Sequence, residues 1–174
     1  MPVSADTAVL TFDTATSGTS STQVQLPFVA GSPAHTYNCE VDWGDSSLST
    51  ITAYNHTEIL HTYATSGVYT VKLKGACGEW TFENSGDKLK LVSIDQFGTS
   101  MIYGPGAFHG CANMKAPALD APQLGTSLES FFNGCSSLDT LPGAAAWQTG
   151  SVTTFADMFR GCTVFNGDIS MWDT

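Results

Sequence analysis

Ala107-Phe108-His109-Gly110-Cys111-Ala112-Asn113-Met114 returns as Phe131-Phe132-Asn133-Gly134-Cys135-Ser136-Ser137-Leu138, and again as Met158-Phe159-Arg160-Gly161-Cys162-Thr163-Val164-Phe165. Each copy reads apolar residue, Phe, any residue, Gly, Cys, two residues, apolar residue. The Phe positions are 24 and then 27 residues apart. A self-similar period of that length marks stacked units that bury their apolar faces only against one another. Such a stack offers surface for contact, and its repeated residues hold it together without themselves doing chemistry.

Working outward, each copy predicts one short helix ending at its Gly. Thr126-Ser127 and Thr153-Thr154 supply cap residues, Pro105 takes a helix-starting place, and the Gly suits a left-handed stop. After each Cys, Ala116-Pro117-Ala118-Leu119, Thr140-Leu141-Pro142 and Asp168-Ile169-Ser170-Met171-Trp172 are candidate short strands. Cys111, Cys135 and Cys162 read as a buried column of small side chains, because free Cys behaves as a hydrophobe. None has a Cys or His beside it at metal-ligand spacing. Leu89, Leu91 and Ile94 form a strand leading into the repeats.

Residues 1–83 read as β throughout. Ala8–Phe12, Val24–Phe28, Tyr37–Trp43, a segment ending near His61, Val68–Leu73 and Trp80–Phe82 are short apolar runs between Ser, Thr and Gly turns. Tyr69, Val71 and Leu73 alternate as in a half-buried strand. Short strands with frequent turns predict a β-sandwich. Gly44 permits a tight turn in which Asp45 can bind backbone amides, and Trp43, Tyr63 and Tyr69 are large enough to dominate a small core. Asp42 and Asp45 admit a calcium reading, but no dense acidic loop supplies the 6–8 oxygens that ion takes. His61 reads as a structural hydrogen-bonding residue, with no nucleophile visibly partnered to it.

Val41-Asp42-Trp43-Gly44-Asp45-Ser46, His61-Thr62-Tyr63 and Gly67-Val68-Tyr69-Thr70-Val71 together resemble the polycystic-kidney-disease (PKD) type immunoglobulin-like domain. Residues 158–174, ending Asn166-Gly167-Asp168-Ile169-Ser170-Met171-Trp172-Asp173-Thr174, resemble the BspA-type leucine-rich repeats of surface proteins. The two earlier copies match more loosely, with Pro117 and Pro142 in the extended part. These resemblances imply a mainly β chain in two parts. Residues 1–83 would form an immunoglobulin-like sandwich. Residues 84–174 would form a leucine-rich-repeat-like solenoid of about three repeats, with one short strand and one short helix in each. Trp172-Asp173-Thr174 restarts the pattern of Trp147-Gln148-Thr149, so the last repeat face is expected to be open and to need a cover.

Composition narrows the function. Of 174 residues, 42% are apolar, enough for real cores, and only 13% are charged. The net charge of −10, with six Lys and Arg in all, opposes nucleic-acid binding. Residues 1–80 hold seven acids and two bases, and residues 81–174 nine acids and four bases, so each part carries about −5. No run approaches the ~20 apolar residues of a membrane span. Met1-Pro2-Val3-Ser4-Ala5-Asp6 does not read as a secretory signal. The chain would then work where it is made, leave by lysis or inside a particle, or have lost a leader. Five cysteines do not make a disulfide framework, although Cys39 and Cys77 could pair. Asn55-His56-Thr57 is a glycosylation sequon.

No P-loop, Gly-x-Ser-x-Gly, His-Glu-x-x-His or dinucleotide fingerprint occurs, and His35, His56, His61 and His109 are scattered. The sequence therefore predicts no enzyme and no cofactor. It predicts a surface binding, adhesion or assembly module with a protein or glycan partner, at a cell surface or outside the cell. The alternatives are a structural virion protein (a capsid decoration or fibre subunit) and an accessory module of a carbohydrate-active enzyme. The open repeat edge is the expected place for an oligomeric or capsid neighbour. Trp147 and Trp172 could stack on sugars but are more often core residues, and Phe165 and Met171 are candidate contacts beside them.

Overall fold

The computed structural model describes residues 1–30, 36–116 and 118–173. His35, Pro117 and Thr174, which figure in the sequence reading, lie outside the described residues.

The chain is mainly β. Its strands are β1 (Ala8–Asp13), β2 (Gln23–Gln25), β3 (Tyr37–Asp42), β4 (Leu48–Ile51), β5 (Leu60–Thr62), β6 (Val68–Cys77), β7 (Glu79–Trp80), β8 (Leu91–Gln96), β9 (Ile102–Tyr103) and β10 (Gln123–Leu124). The largest sheet is antiparallel with order β4-β3-β6-β1-β8. Its central strand β6 alternates as the sequence predicts, with Val71 and Leu73 buried and Tyr69 half-buried. Strand β1 buries Ala8, Val9, Leu10 and Phe12, in keeping with its place between β6 and β8. Strands β2 and β5 form a separate antiparallel pair.

Cys39 and Cys77 form a disulfide between β3 and β6, both fully buried. The Ser/Thr/Gly stretch 14–22 is held down by a buried polar knot. Asp87, 1% exposed, accepts hydrogen bonds from Thr19 N at 2.6 Å, Thr19 Oγ1 at 2.8 Å and Gln25 N at 2.7 Å. Lys90, fully buried, donates to Thr19 Oγ1 at 3.0 Å and to the carbonyls of Ser20 and Gln23, each at 2.7 Å. Burial pulls the Lys90 ammonium below its ordinary pKa, and Asp87 opposes that shift.

From β7 onward the chain returns repeatedly to one line. Strands β7, β9 and β10 pair in parallel, Glu79 beside Ile102 and Ile102 beside Gln123. Beyond β9 and β10 the three Phe-x-Gly-Cys segments continue side by side as rungs, bonded backbone to backbone.

Several sequence expectations are corrected here. The leucine-rich-repeat-like solenoid with one helix and one strand per repeat does not form. Residues 105–110, 129–134 and 156–161 are turns, and the described residues hold only two three-residue 3-10 helices, Thr57–Ile59 and Ala144–Ala146. The physical reason is backbone handedness. The residue two before each Phe is left-handed, Gly106 at φ +62°, Ser130 at +55° and Asp157 at +55°, which no α-helix tolerates. The cap residues do cap, but a turn: Ser127 Oγ accepts from Glu129 N and Thr154 Oγ1 from Ala156 N.

The described parts of 116–119, 140–142 and 168–172 are not strands; the parallel pairing lies at β9 and β10, with one isolated parallel bridge between Ser93 and Lys115 after the first phrase. The immunoglobulin-like sandwich is likewise not established. None of the sheets closes, the second antiparallel sheet has only two three-residue strands, and the large sheet takes its edge strand β8 from beyond residue 83.

Candidate functional site

Two places gather the residues singled out by sequence: the turn after β3 and the last rung of the stack.

At the first, Trp43-Gly44-Asp45 leaves β3 through Gly44 at φ +82°, where a Cβ would meet Thr70 O at 2.6 Å, so only glycine fits. Asp45 Oδ1 accepts from Ser47 N at 3.0 Å, and Asp45 Oδ2 lies 2.9 Å from His61 Nε2. His61 stacks on Trp43 with ring centres 4.5 Å apart and meets Tyr63 edge-on. Tyr63 stacks on Tyr69 and donates its hydroxyl to Trp43 O at 3.1 Å. Ser47 Oγ also approaches His61, at 3.4 Å, but at the same Nε2 that faces Asp45. A relay needs two ring nitrogens with different partners. This grouping locks a turn and has no geometry for passing a proton. Asp42 spends an oxygen on Gly44 N at 3.1 Å and faces Lys72 at 3.6 Å. Among the described residues no group of three His, Cys, Asp or Glu could hold a metal ion.

Desolvation raises the Asp45 pKa, but hydrogen bonds from Ser47 and His61 outweigh it and bring the carboxyl from 3.8 to about 2. A folded pKa below the unfolded one contributes stability above pH 3.8, and that contribution is lost as pH falls towards 2. The difference in thermal midpoint between the native chain and Asp45→Asn is therefore expected to shrink as pH drops through this window. Midpoints that fall in parallel, followed by circular dichroism, would refute the role given to Asp45.

At the second place, Phe108, Phe132 and Phe159 stack with successive ring centres 5.6 and 5.8 Å apart. Beside them Gly110, Gly134 and Gly161 share left-handed φ of +81°, +76° and +75°. A Cβ on Gly134 or Gly161 would only touch the glycine Cα of the rung before, at 3.5 and 3.4 Å, so the left-handed backbone and not space is what calls for glycine there. The cysteines form a third column. Cys111 and Cys135 are fully buried and Cys162 is half-buried. Cys135 Sγ donates to Phe108 O at 3.1 Å and Cys162 Sγ to Phe132 O at 3.0 Å. Burial pushes all three thiols up, which keeps them from acting as nucleophiles.

Trp147 and Trp172 are brought together, ring centres 5.2 Å apart and stacked, but they lie inside at 4% and 8% exposure. Trp172 Nε1 donates to Ala144 O at 2.8 Å. Both indoles lie in the core, the more usual place for such residues, and neither presents a free face to a sugar. Phe165 is half-buried against Phe159, and Met171 is 73% exposed. Met171 lines a shallow cavity of about 400 Å³ with Leu141, Pro142, Ala145 and Asp168. Sequence reasoning missed the Asp87–Lys90 knot, although a Lys between Leu89 and Leu91 was a visible signal of a buried charge.

Comparison with known families finds one match on this stretch. Residues 106–174, the three-rung region, match the family described as "Mycoplasma protein of unknown function, DUF285". No PKD-type domain is identified in the chain, so the resemblance of its first part to that family is withdrawn. The match agrees with the BspA-like resemblance of this stretch, whereas the leucine-rich-repeat solenoid that the resemblance implied is withdrawn, because the rungs lack its strand-and-helix unit. No curated protein and no solved structure matches the chain.

Proposed function

We propose that this chain is a non-catalytic binding or assembly module that works outside a reducing cytosol, through protein or glycan contacts. The observation that carries the reading is the partly covered apolar face of the third rung. Phe155, Phe159 and Phe165 are half-buried, whereas their counterparts one rung earlier, Leu128, Phe132 and Leu138, are fully buried. Apolar faces of this kind mark contact sites. The Cys39–Cys77 disulfide supports an oxidising location, because cytosolic thiols stay reduced. Cys111 and Cys135 suit the same location, since full burial guards their thiols from oxidation. Among the described residues no helix is long and apolar enough to cross a membrane.

The test is binding of the intact chain to glycan arrays and to cell-surface protein preparations, beside Met171→Asp at the exposed rim. Saturable binding weakened at least tenfold by the variant supports the reading, and uniform failure to bind overturns it. Recovery of the chain at high copy number in purified virus particles would favour the structural virion alternative.

A further inference from the structure

The tripeptide Phe-Asn-Gly occurs twice, as Phe132-Asn133-Gly134 in the second rung and as Phe165-Asn166-Gly167 at the end of the third phrase. No other asparagine of the chain precedes a glycine. Such a pair can modify itself, because glycine has no side chain to shield its backbone nitrogen from the asparagine amide carbon. The same three residues give both copies the same intrinsic reactivity, so a difference between them belongs to the fold.

At the first copy the reacting groups are occupied. The Gly134 N–H donates to Arg160 O at 2.7 Å, the Asn133 side-chain amide donates to Ser130 Oγ at 3.4 Å, and Asn133 O accepts from Gly110 N at 2.7 Å. Asn133 is half-buried there. At the second copy Asn166 is exposed, and among the described residues neither its side-chain amide nor the Gly167 N–H has a hydrogen-bond partner. The exposure belongs to the position. Its counterparts after the two earlier cysteines, Lys115 and Asp139, keep side chains 60% and 49% exposed although later segments stack beside them. On this side of the stack the later segment gives its N–H to the earlier carbonyl, Lys115 N to Val92 O and Asn166 N to Asp139 O. The Gly167 amide is therefore not a group that this stacking engages.

We propose that Asn166 is a site of spontaneous deamidation, and that the rungs shield Asn133 from the same reaction. The Gly167 nitrogen gives up its proton and attacks Asn166 Cγ. A C–N bond forms, the Cγ–Nδ2 bond breaks, and the side-chain nitrogen leaves as ammonia with a proton gained in exchange. Water then opens the succinimide ring at either carbonyl, giving aspartate or isoaspartate with no change of oxidation state. Either product sets a new carboxylate one rung from Asp139, which pairs with Lys115 at 3.0 Å, and beside Asp168 in the cavity lined by Leu141, Pro142 and Met171. Like charges on neighbouring strands repel. The cavity thus becomes more acidic as the protein ages, in one direction only. The modification goes beyond the binding reading and does not rest on it.

The test is peptide mapping by mass spectrometry on the intact chain, incubated at pH 7 and at pH 9, folded and in denaturing urea. In the folded chain Asn166 is expected to convert to aspartate and isoaspartate at least tenfold faster than Asn133. The conversion speeds up at the higher pH, where the attacking nitrogen loses its proton more easily. In urea the two rates come together, because the tripeptides are the same. Asn166→Gln, whose longer side chain closes that ring poorly, removes the conversion at this position. The proposal is overturned if Asn166 stays intact as long as Asn133 in the folded chain. It is equally overturned if the lead of Asn166 persists undiminished in urea, which would assign the difference to the residues that follow and not to the fold.

Discussion

Asp87→Ala is expected to lower the unfolding free energy by about 4 kcal/mol, the range found when one partner is stripped from a buried charge site. The substitution orphans two backbone donors, Thr19 N and Gln25 N, whose acceptor is the Asp87 carboxylate. Each buried unpaired donor costs about 1–3 kcal/mol. It also leaves the Lys90 ammonium, fully buried, without the carboxylate that opposes its desolvation. Lys90 already titrates below its ordinary value of 10.5, and the variant pushes it lower. With the folded pKa below the unfolded one, the unfolded chain binds more protons in that window, so the variant's stability rises with pH. Urea unfolding at pH 7 and at pH 9.5 reads both effects. A loss under about 1 kcal/mol at pH 7, the cost of one ordinary surface change, would show that the knot is not the clamp on residues 14–22. Asp87→Asn, which keeps one acceptor oxygen, is expected to fall between the two.

The strands were the legible part of this chain. Their alternation is written in side chains: Val71 and Leu73 point inward along β6, and Trp43-Gly44-Asp45 announces a turn that only glycine can make. The helices were misread because their signals are local and shared. A Ser or Thr cap followed by apolar residues and a Gly describes a helix and a rung turn equally well. What separates the two is the left-handed backbone at Ser130 and Asp157, and neither residue type advertises it. The third rung was half legible: its aromatic residues recur visibly, but how deeply Phe155, Phe159 and Phe165 are buried depends on packing that no letter in the sequence carries. Burial of Trp147 and Trp172 was likewise settled by packing: the two indoles stack across repeats with ring centres 5.2 Å apart, while Trp172 lies on Phe155 and Phe159 at 5.8 and 6.1 Å and Trp147 on Phe131 and Phe132 at 5.9 and 6.1 Å.

Phe132→Ala should be the most damaging single change in the rungs, with an expected loss of about 3–5 kcal/mol, as for other fully buried Phe. Phe132 is completely buried, stacked between Phe108 and Phe159 and edged by Phe131 and Trp147. Removing its ring opens a cavity that cannot collapse easily. Backbone hydrogen bonds from Phe108 N to Phe131 O and from Phe132 N to Met158 O fix the separation of the rungs on either side. For a chain of this size the loss corresponds to a drop in thermal midpoint of roughly 10 °C.

Phe159→Ala provides the internal comparison. It removes the same ring one rung later, where the face is only half-buried, so less apolar area is lost. Its cost is expected to be about half that of Phe132→Ala by the same area reasoning. Equal losses for the two variants would mean that Phe159 is as well covered as Phe132, and that the last rung carries no open face. A smaller loss at Phe159 that grows to match Phe132 once a further rung is appended would tie the missing stability to the missing cover.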